Sequence, residues 1–296
     1  MSSDMRMPAD FGAAAPEPAG TDPGVETGTA PVAGGELYYE AAGSGPVLVL
    51  LHEGMLDLTM WDEQFHWLAR AGYRVVRYDA RGHGRSSLVD GEYAHHEDLR
   101  ALLAHLGVAR ATLIGHSHGA RVALDCALAY PDAVAALVLA APGISGRSFS
   151  DPFLLEHIRE QVAAVSLPGG VKLFIEHFLR MWVDGPHRDP AAVDPALRER
   201  IRATALATVT AHAEGMGRGA AFEVGAADRL AEIRVPTLVM DGDLDSTDIS
   251  ANAHAVALAV PGARRARIPA AGHMVNLENA AEFDRELAEF LRTAAY

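Results

Sequence analysis

The stretch "LIGHSHGA", Leu113 to Ala120, places Ser117 between His116 and His118 and brackets all three with Gly115 and Gly119. A serine hydroxyl is a weak nucleophile until a base takes its proton, and the base in turn needs an acid to fix its tautomer. Fourteen histidines compete for the base role. His116 and His118 adjoin the serine, but neighbours at the apex of a sharp turn point in different directions and do not readily present a ring nitrogen to its hydroxyl. His273 is better placed, in a loop opened by Gly272 after the strand candidate "ARRARIPA". Carboxylates for the third role cluster in "MDGDLDSTD", which lies between Ser117 and His273 in the chain.

A Gly-x-Ser-x-Gly match carries little weight without its setting. Here "ATLI" is a strand candidate running into Gly115, and "GARVALDCALAY" is a helix candidate leaving Gly119. A strand-turn-helix of this kind holds the serine strained and exposed, with glycines where strand and helix approach. The helix N-terminus adds backbone N–H groups and partial positive charge beside a developing oxyanion.

The elements that would carry this turn repeat along the chain. "PVLVLLHEG", "YRVVRYDARG", "AALVLAAPG" and "PTLVMDGDLD" are short apolar runs ending in polar loops, as strands buried on both faces should be. Between them lie amphipathic segments such as "HEDLRALLAHLG", with Leu99, Leu102, Leu103 and Leu106 at helical spacing and Gly107 as a C-cap. This alternation predicts an α/β fold with a mostly parallel central sheet and helices on both faces. From 145 to 225 the strand signal gives way to helical patterns such as "FLLEHIREQVAAV" and "VKLFIEHFLRMWV", which predict an inserted helical lid. The core then comprises 36–144 and 226–296, and the Ala-, Pro- and Gly-rich residues 1–35 are expected to be a disordered tail. Ligands of open parallel sheets bind at the carboxyl ends of the strands, where such a lid would close.

With 49% hydrophobic residues the 296-residue chain has enough apolar material for a substantial core. Its formal charge of -14 argues against nucleic acid or an anionic membrane and for a small-molecule partner. No run approaches the roughly 20 apolar residues of a membrane span. The single cysteine, Cys126, sits in an apolar helical pattern and fits a reducing cytoplasm. His116 and His118 have no third ligand at compatible spacing, so neither a metal nor another cofactor is expected. Oligomeric state is not legible.

The ordered set "LLHEG" with Trp61, "YDARGHGRS", "GHSHGA", "VPTLVMDGDLD" and "AAGHMVNLEN" resembles the α/β-hydrolase family, especially its lid-bearing esterases, lactonases and proline-iminopeptidase-like members, from about Leu37 to Leu291. The resemblance implies a catalytic acid in a Gly-x-x-Asp pattern after the penultimate strand, which selects Asp245, with Asp243 as runner-up; Asp248 reads as a first-turn residue of the next helix. It also implies an oxyanion hole from the backbone N–H groups of His118 and Gly54. The chain departs from the family at Glu53, where glycine is commoner. A charge turned toward the hole would be unfavourable, so either Glu53 points outward or the loop is specialised, with Met55 as donor in place of Gly54.

The implied activity is hydrolysis of an ester, thioester or lactone of a small, mainly apolar substrate through Ser117, His273 and Asp245. Glu53, Met55, His116, Phe178, Met181 and Trp182 are candidate pocket residues, although a stripe such as Phe178, Met181 and Trp182 equally suits the lid's own core. Carbon-carbon bond hydrolysis and acyl transfer use the same triad and remain open. So does a non-catalytic ligand receptor, which would bind without repeated turnover.

Overall fold

The computed structural model describes residues 24–215 and 217–294. Its strands are β1 (Glu26–Val32), β2 (Gly35–Ala42), β3 (Val47–Leu51), β4 (Arg74–Tyr78), β5 (Gly91–Tyr93), β6 (Ala111–His116), β7 (Val134–Ala140), β8 (Gly219–Ala221), β9 (Thr237–Gly242) and β10 (Arg264–Ile268). An eight-stranded sheet runs in the order β1-β2-β4-β3-β6-β7-β9-β10. It is parallel from β4 through β10, and β1 and β2 add antiparallel at one edge. The central strands read as unbroken apolar runs because both faces are covered. In β3, Leu48 and Leu50 enter one core while Val49 and Leu51 enter the other; in β7, Val138 and Ala140 oppose Leu137 and Leu139 in the same way.

Helices α1 (Asp62–Arg70), α2 (His95–His105), α3 (His118–Ala129), α4 (Pro152–Val165), α5 (Val171–Leu179), α6 (Pro195–Ala211), α7 (Thr247–Ala259), α8 (Val275–Glu278) and α9 (Ala280–Thr293) complete the chain. Phe65 and Leu68 of α1 and Phe283 and Leu287 of α9 build one face of the core; α2, α3 and α7 build the other. In α2, Leu99, Leu102 and Leu103 are fully buried, and Gly107 ends the helix at φ +65.

Residues 145–225 carry α4, α5, a π-helical turn over Arg180–Asp184, and α6. Among the described residues this layer has no separate core: Ile175, Phe178, Leu179, Val183, Ile201 and Val209 join the cluster that contains Trp61 and Phe65. Its entry is tied to the sheet by two carboxylates. Asp248, in the first turn of α7, accepts from the N–H groups of Ser150 and Asp151 at 2.7 and 2.8 Å, while Asp151 accepts from the Thr247 N–H and hydroxyl at 3.1 and 2.6 Å.

Two expectations need correction. Residues 1–23 lie outside the described part, but the remainder of the expected tail is ordered, with Glu26–Val32 paired along its length to β2. Ala30 is the one buried residue of this edge strand, so no apolar period marked it, and Pro31 is tolerated there because an edge need not donate on both sides. Within the segment expected to be all helical, exposed Gly219–Ala221 pairs with β5 in a small parallel sheet.

The loop after β4 is pinned by charge. Arg81 donates to both carboxylate oxygens of Asp98 at 2.9 and 2.7 Å and to the carbonyl of Ala33 at 2.8 Å, joining the loop to α2 and to the β1–β2 turn. Asp98→Ala strands a buried guanidinium and should cost about 3–5 kcal/mol of unfolding free energy, measurable by urea denaturation.

Candidate active site

β6 ends at His116 and α3 begins at His118, so Ser117 alone makes the turn, at φ 52 and ψ -107. Such a conformation costs about 1–3 kcal/mol and persists only where neighbours enforce it. The Ser117 N–H donates to the Ala140 carbonyl at 2.8 Å, and the Ser117 carbonyl accepts from Arg121 and Gly143, each at 3.1 Å. A Cβ on Gly115 would collide with the Gly119 backbone, and one on Gly119 with the carbonyl of Leu51 at the end of β3. The glycines therefore let β6, α3 and β3 converge under the half-buried serine.

His273 follows β10 and Asp245 follows β9, and the two meet. The His273 Nδ1–H donates to Asp245 Oδ2 at 2.8 Å with both side chains buried, and Asp245 Oδ1 accepts from the Ser246 N–H at 2.7 Å. Asp243 is exposed, and Asp248 serves the lid entry. His273 Nε2 is buried and has no hydrogen-bond partner among the described residues. Burial pulls the imidazole pKa down, but Asp245, Glu53 and Glu278 outweigh it and raise the pKa above its ordinary value.

Neighbouring groups orient this ring. His116 donates from Nε2 to the His273 carbonyl at 2.8 Å, and burial followed by the charge of His273 pushes its own pKa down to about 3, which keeps it neutral. Glu278 accepts from the N–H groups of Gly272 and Met274, each at 3.1 Å, clamping the residues on both sides of His273. Arg188, from the helical layer of residues 145–225, pairs with Glu278 and donates to the carbonyls of Val183 and Asp184 at 2.7 and 3.0 Å. A Cβ on Gly272 would strike this guanidinium. The turn so held carries Trp182, whose indole lies 4.5 Å from the His273 ring, centroid to centroid, and 5.7 Å from Phe149. An imidazolium gains attraction from such a ring.

The loop after β3 adjoins the elbow: a Cβ on Gly54 would lie 3.3 Å from the Cβ of His118. His83 holds this loop by donating from Nε2 to the Gly54 carbonyl at 2.7 Å; burial and His52 push its pKa down to about 4. His52 accepts the Ala80 N–H at Nε2, 2.9 Å, and so donates from Nδ1 to the Glu53 carbonyl at 2.6 Å. Glu53 does not point outward. Its side chain is buried and curls over its own loop, accepting the Met55 N–H at 2.8 Å. Met55 N–H is thereby taken, which removes it as the alternative donor. Burial raises the Glu53 pKa, opposed by the N–H groups of Met55, Gly54 and Leu56 and by His273.

The other pocket candidates separate. Trp182 faces His273, but Phe178 belongs to the core, Met181 is buried, and His116 is fully buried beneath His273, supporting it instead of lining an open pocket. The His118 ring turns the other way, onto His95 at 4.7 Å. No group of three or more metal-ligating side chains occurs among the described residues, and no helix there is long and apolar enough to cross a membrane. Sequence reasoning missed Arg188, Glu278 and His83. Glu278 and His83 stand inside quoted motifs, whereas nothing local marks Arg188, which meets Glu278 across 90 positions. Because Glu278 helps raise the His273 pKa, Glu278→Gln should move the His273 titration midpoint, followed by NMR, to lower pH.

The family model for the alpha/beta hydrolase fold matches residues 46–280. A non-heme haloperoxidase of Rhodococcus erythropolis is 30% identical over 272 residues, covering 88% of this chain and 97% of its own. The crystal structure of an enol-lactonase from Burkholderia xenovorans LB400 superposes with a TM-score of 0.72 at 26% identity, over 90% of this chain and 100% of the other. A thermophilic esterase from Thermogutta terrifontis does so with a TM-score of 0.74 at 26% identity, over 92% and 100%. The parallel sheet, the elbow at Ser117 and these likenesses agree: the chain belongs to the α/β-hydrolase family.

Proposed function

We propose that the protein is a serine hydrolase that cleaves an ester, thioester or lactone of a small, mainly apolar molecule through an acyl-enzyme. The observation that carries this reading is the buried hydrogen bond between His273 Nδ1 and Asp245 Oδ2, 2.8 Å long, on a histidine whose carbonyl accepts from His116, the residue before the strained Ser117. That bond commits the proton to Nδ1 and leaves Nε2 as the lone-pair nitrogen, the form a general base needs. The Ser117 hydroxyl oxygen attacks the carbonyl carbon while its proton passes to Nε2, a contact that in enzymes often tightens only once substrate is bound. The imidazolium is stabilised by Asp245 and by the indole of Trp182. Charge on the carbonyl oxygen is met by the N–H groups of His118, at the start of α3, and of Gly54, in the loop after β3.

Collapse of the tetrahedral intermediate returns the proton from Nε2 to the leaving oxygen or sulfur and leaves the acyl group on Ser117. A water then gives its proton to Nε2, attacks the acyl carbon and releases the acid, restoring the serine. The helical insert supports this second step by setting Trp182 over the histidine, whose imidazolium forms again as the water gives up its proton.

Turnover of an activated neutral ester tests the reading. Ser117→Ala should lower kcat on the order of 10⁴- to 10⁶-fold with the fold intact by circular dichroism, and Asp245→Asn on the order of 10⁴-fold. Full activity in Ser117→Ala would overturn it. The base must be neutral, so kcat/KM should fall as pH drops through the His273 pKa. Since that pKa is raised, the midpoint of the acid limb should lie above about 6.5, the ordinary histidine value.

A further inference from the structure

Arg188 comes from the helical layer of residues 145–225, yet its guanidinium ends against the loop of the proposed base. Each of its nitrogens is used. Nη1 pairs with Glu278 Oε2, Nη2 donates to the Val183 carbonyl at 2.7 Å, and Nε donates to the Asp184 carbonyl at 3.0 Å. Glu278 in turn turns both oxygens to the loop, Oε2 accepting the Gly272 N–H and Oε1 the Met274 N–H, each at 3.1 Å, so it holds the residues before and after His273. The side chains of this pair are only 13% and 5% exposed, so water does not readily replace either partner. Gly272 leaves the room they need, since a Cβ there would strike Arg188 Nη2. On its other side the turn is fixed through the fully buried Asp184 carboxylate, which accepts from Arg198 Nε and Nη2 at 2.8 and 3.0 Å and from Arg180 Nη1 at 3.0 Å.

We infer that Arg188 is a positioning residue for the base: through Glu278 it fixes the direction of the His273 ring, and through the Val183 and Asp184 carbonyls it fixes the turn whose Trp182 lies against that ring. The inference rests on the reading of His273 as the general base of a serine hydrolase and deepens it. A guanidinium fork holds three acceptors at once in one rigid geometry, which an ammonium cannot do. The helical layer and the base are thereby kept in one register, although 90 positions separate Arg188 from Glu278. The charge of Arg188 acts as well. The carboxylates that face the imidazole are Asp245 after β9, Glu53 after β3 and Glu278 on α8, while His116 at the end of β6 is neutral. Arg188 offsets the charge of Glu278, so the clamp grips the loop without adding an uncompensated anion beside the ring. Loss of this cation makes the imidazolium easier to form and the free base harder to reach.

The test reads the His273 ring itself, by NMR titration of the full chain, beside kcat and KM for a neutral 4-nitrophenyl ester. Arg188→Met should raise the His273 midpoint by about 0.5 pH unit or more and lower kcat by about 10- to 100-fold, with a much smaller change in KM. Because the effect runs through Glu278, adding Arg188→Met to Glu278→Gln should move the midpoint no further. Arg188→Lys restores the charge without the fork, and should bring the midpoint back toward wild type while kcat stays depressed. A midpoint that is unchanged or lower in folded Arg188→Met would overturn the proposal. So would an equal rise in the Glu278→Gln background, or in Asp151→Ala, which loosens the entry of the helical layer at Thr247, away from Arg188. If Arg188→Met does not fold, Arg188→Lys decides: depressed kcat supports the role and wild-type kcat contradicts it. A failed titration with Ser117-dependent turnover intact removes the role of Arg188 alone, whereas absence of any such turnover removes the hydrolase reading and the base that Arg188 would position.

Discussion

The buried hydrogen bond between His273 and Asp245 is the constraint on which the rest of the site depends. Two groups that form an ion pair when the ring is protonated are taken out of water, and the arrangement is favourable only if both are held in one geometry with their remaining polar atoms satisfied. The fold supplies that geometry by placing the residues after adjacent parallel strands, β9 and β10. His116 fixes the histidine's carbonyl, Glu278 fixes the N–H groups on both sides, and Ser246 fixes the second oxygen of Asp245. One ring nitrogen is left over: Nε2 of His273, buried and without a partner among the described residues.

The helical layer of residues 145–225 follows from the same constraint. Arg188 joins Glu278 to the turn that carries Trp182, so the segment that meets the His273 ring also reaches the loop that holds it. Because this layer shares its apolar cluster with α1 and α9, it is a packed part of the core, and its position is set by the sheet beneath. Strain is concentrated where the chemistry is expected. The non-glycine residues with left-handed φ among those described are Ser117, Ala141 and Ala270, just beyond β6, β7 and β10 at the carboxyl edge of the sheet. Such strain needs a rigid surround, and the doubly covered central strands provide it.

Much of this was legible in the chain because burial on both faces leaves a plain record. "VLVLL" and "VAALVLA" could hardly be anything but central strands, and Gly115 and Gly119 mark a turn too tight for side chains. The order of motifs pointed to His273 and Asp245 before any contact between them was visible. What stayed hidden depends on backbone pairing or on distance along the chain. β1 and β8 are held by main-chain bonds and bury almost no side chain, so no periodicity announces them. Arg188 reveals its part only when folding brings it to Glu278. For Glu53 the residue type flagged an anomaly, but the direction of a side chain is a tertiary property, and the outward alternative was as compatible with the sequence as the inward one that is found.

The central claim is that Ser117 is an activated nucleophile, and intact-mass analysis after treatment with a fluorophosphonate tests it most directly, since this reagent modifies a serine only where a base and oxyanion donors activate it. The account requires one adduct per chain, located on Ser117 by peptide mapping and absent from Ser117→Ala. A folded wild-type protein that remains unlabelled, or a label that persists in the variant, would contradict it.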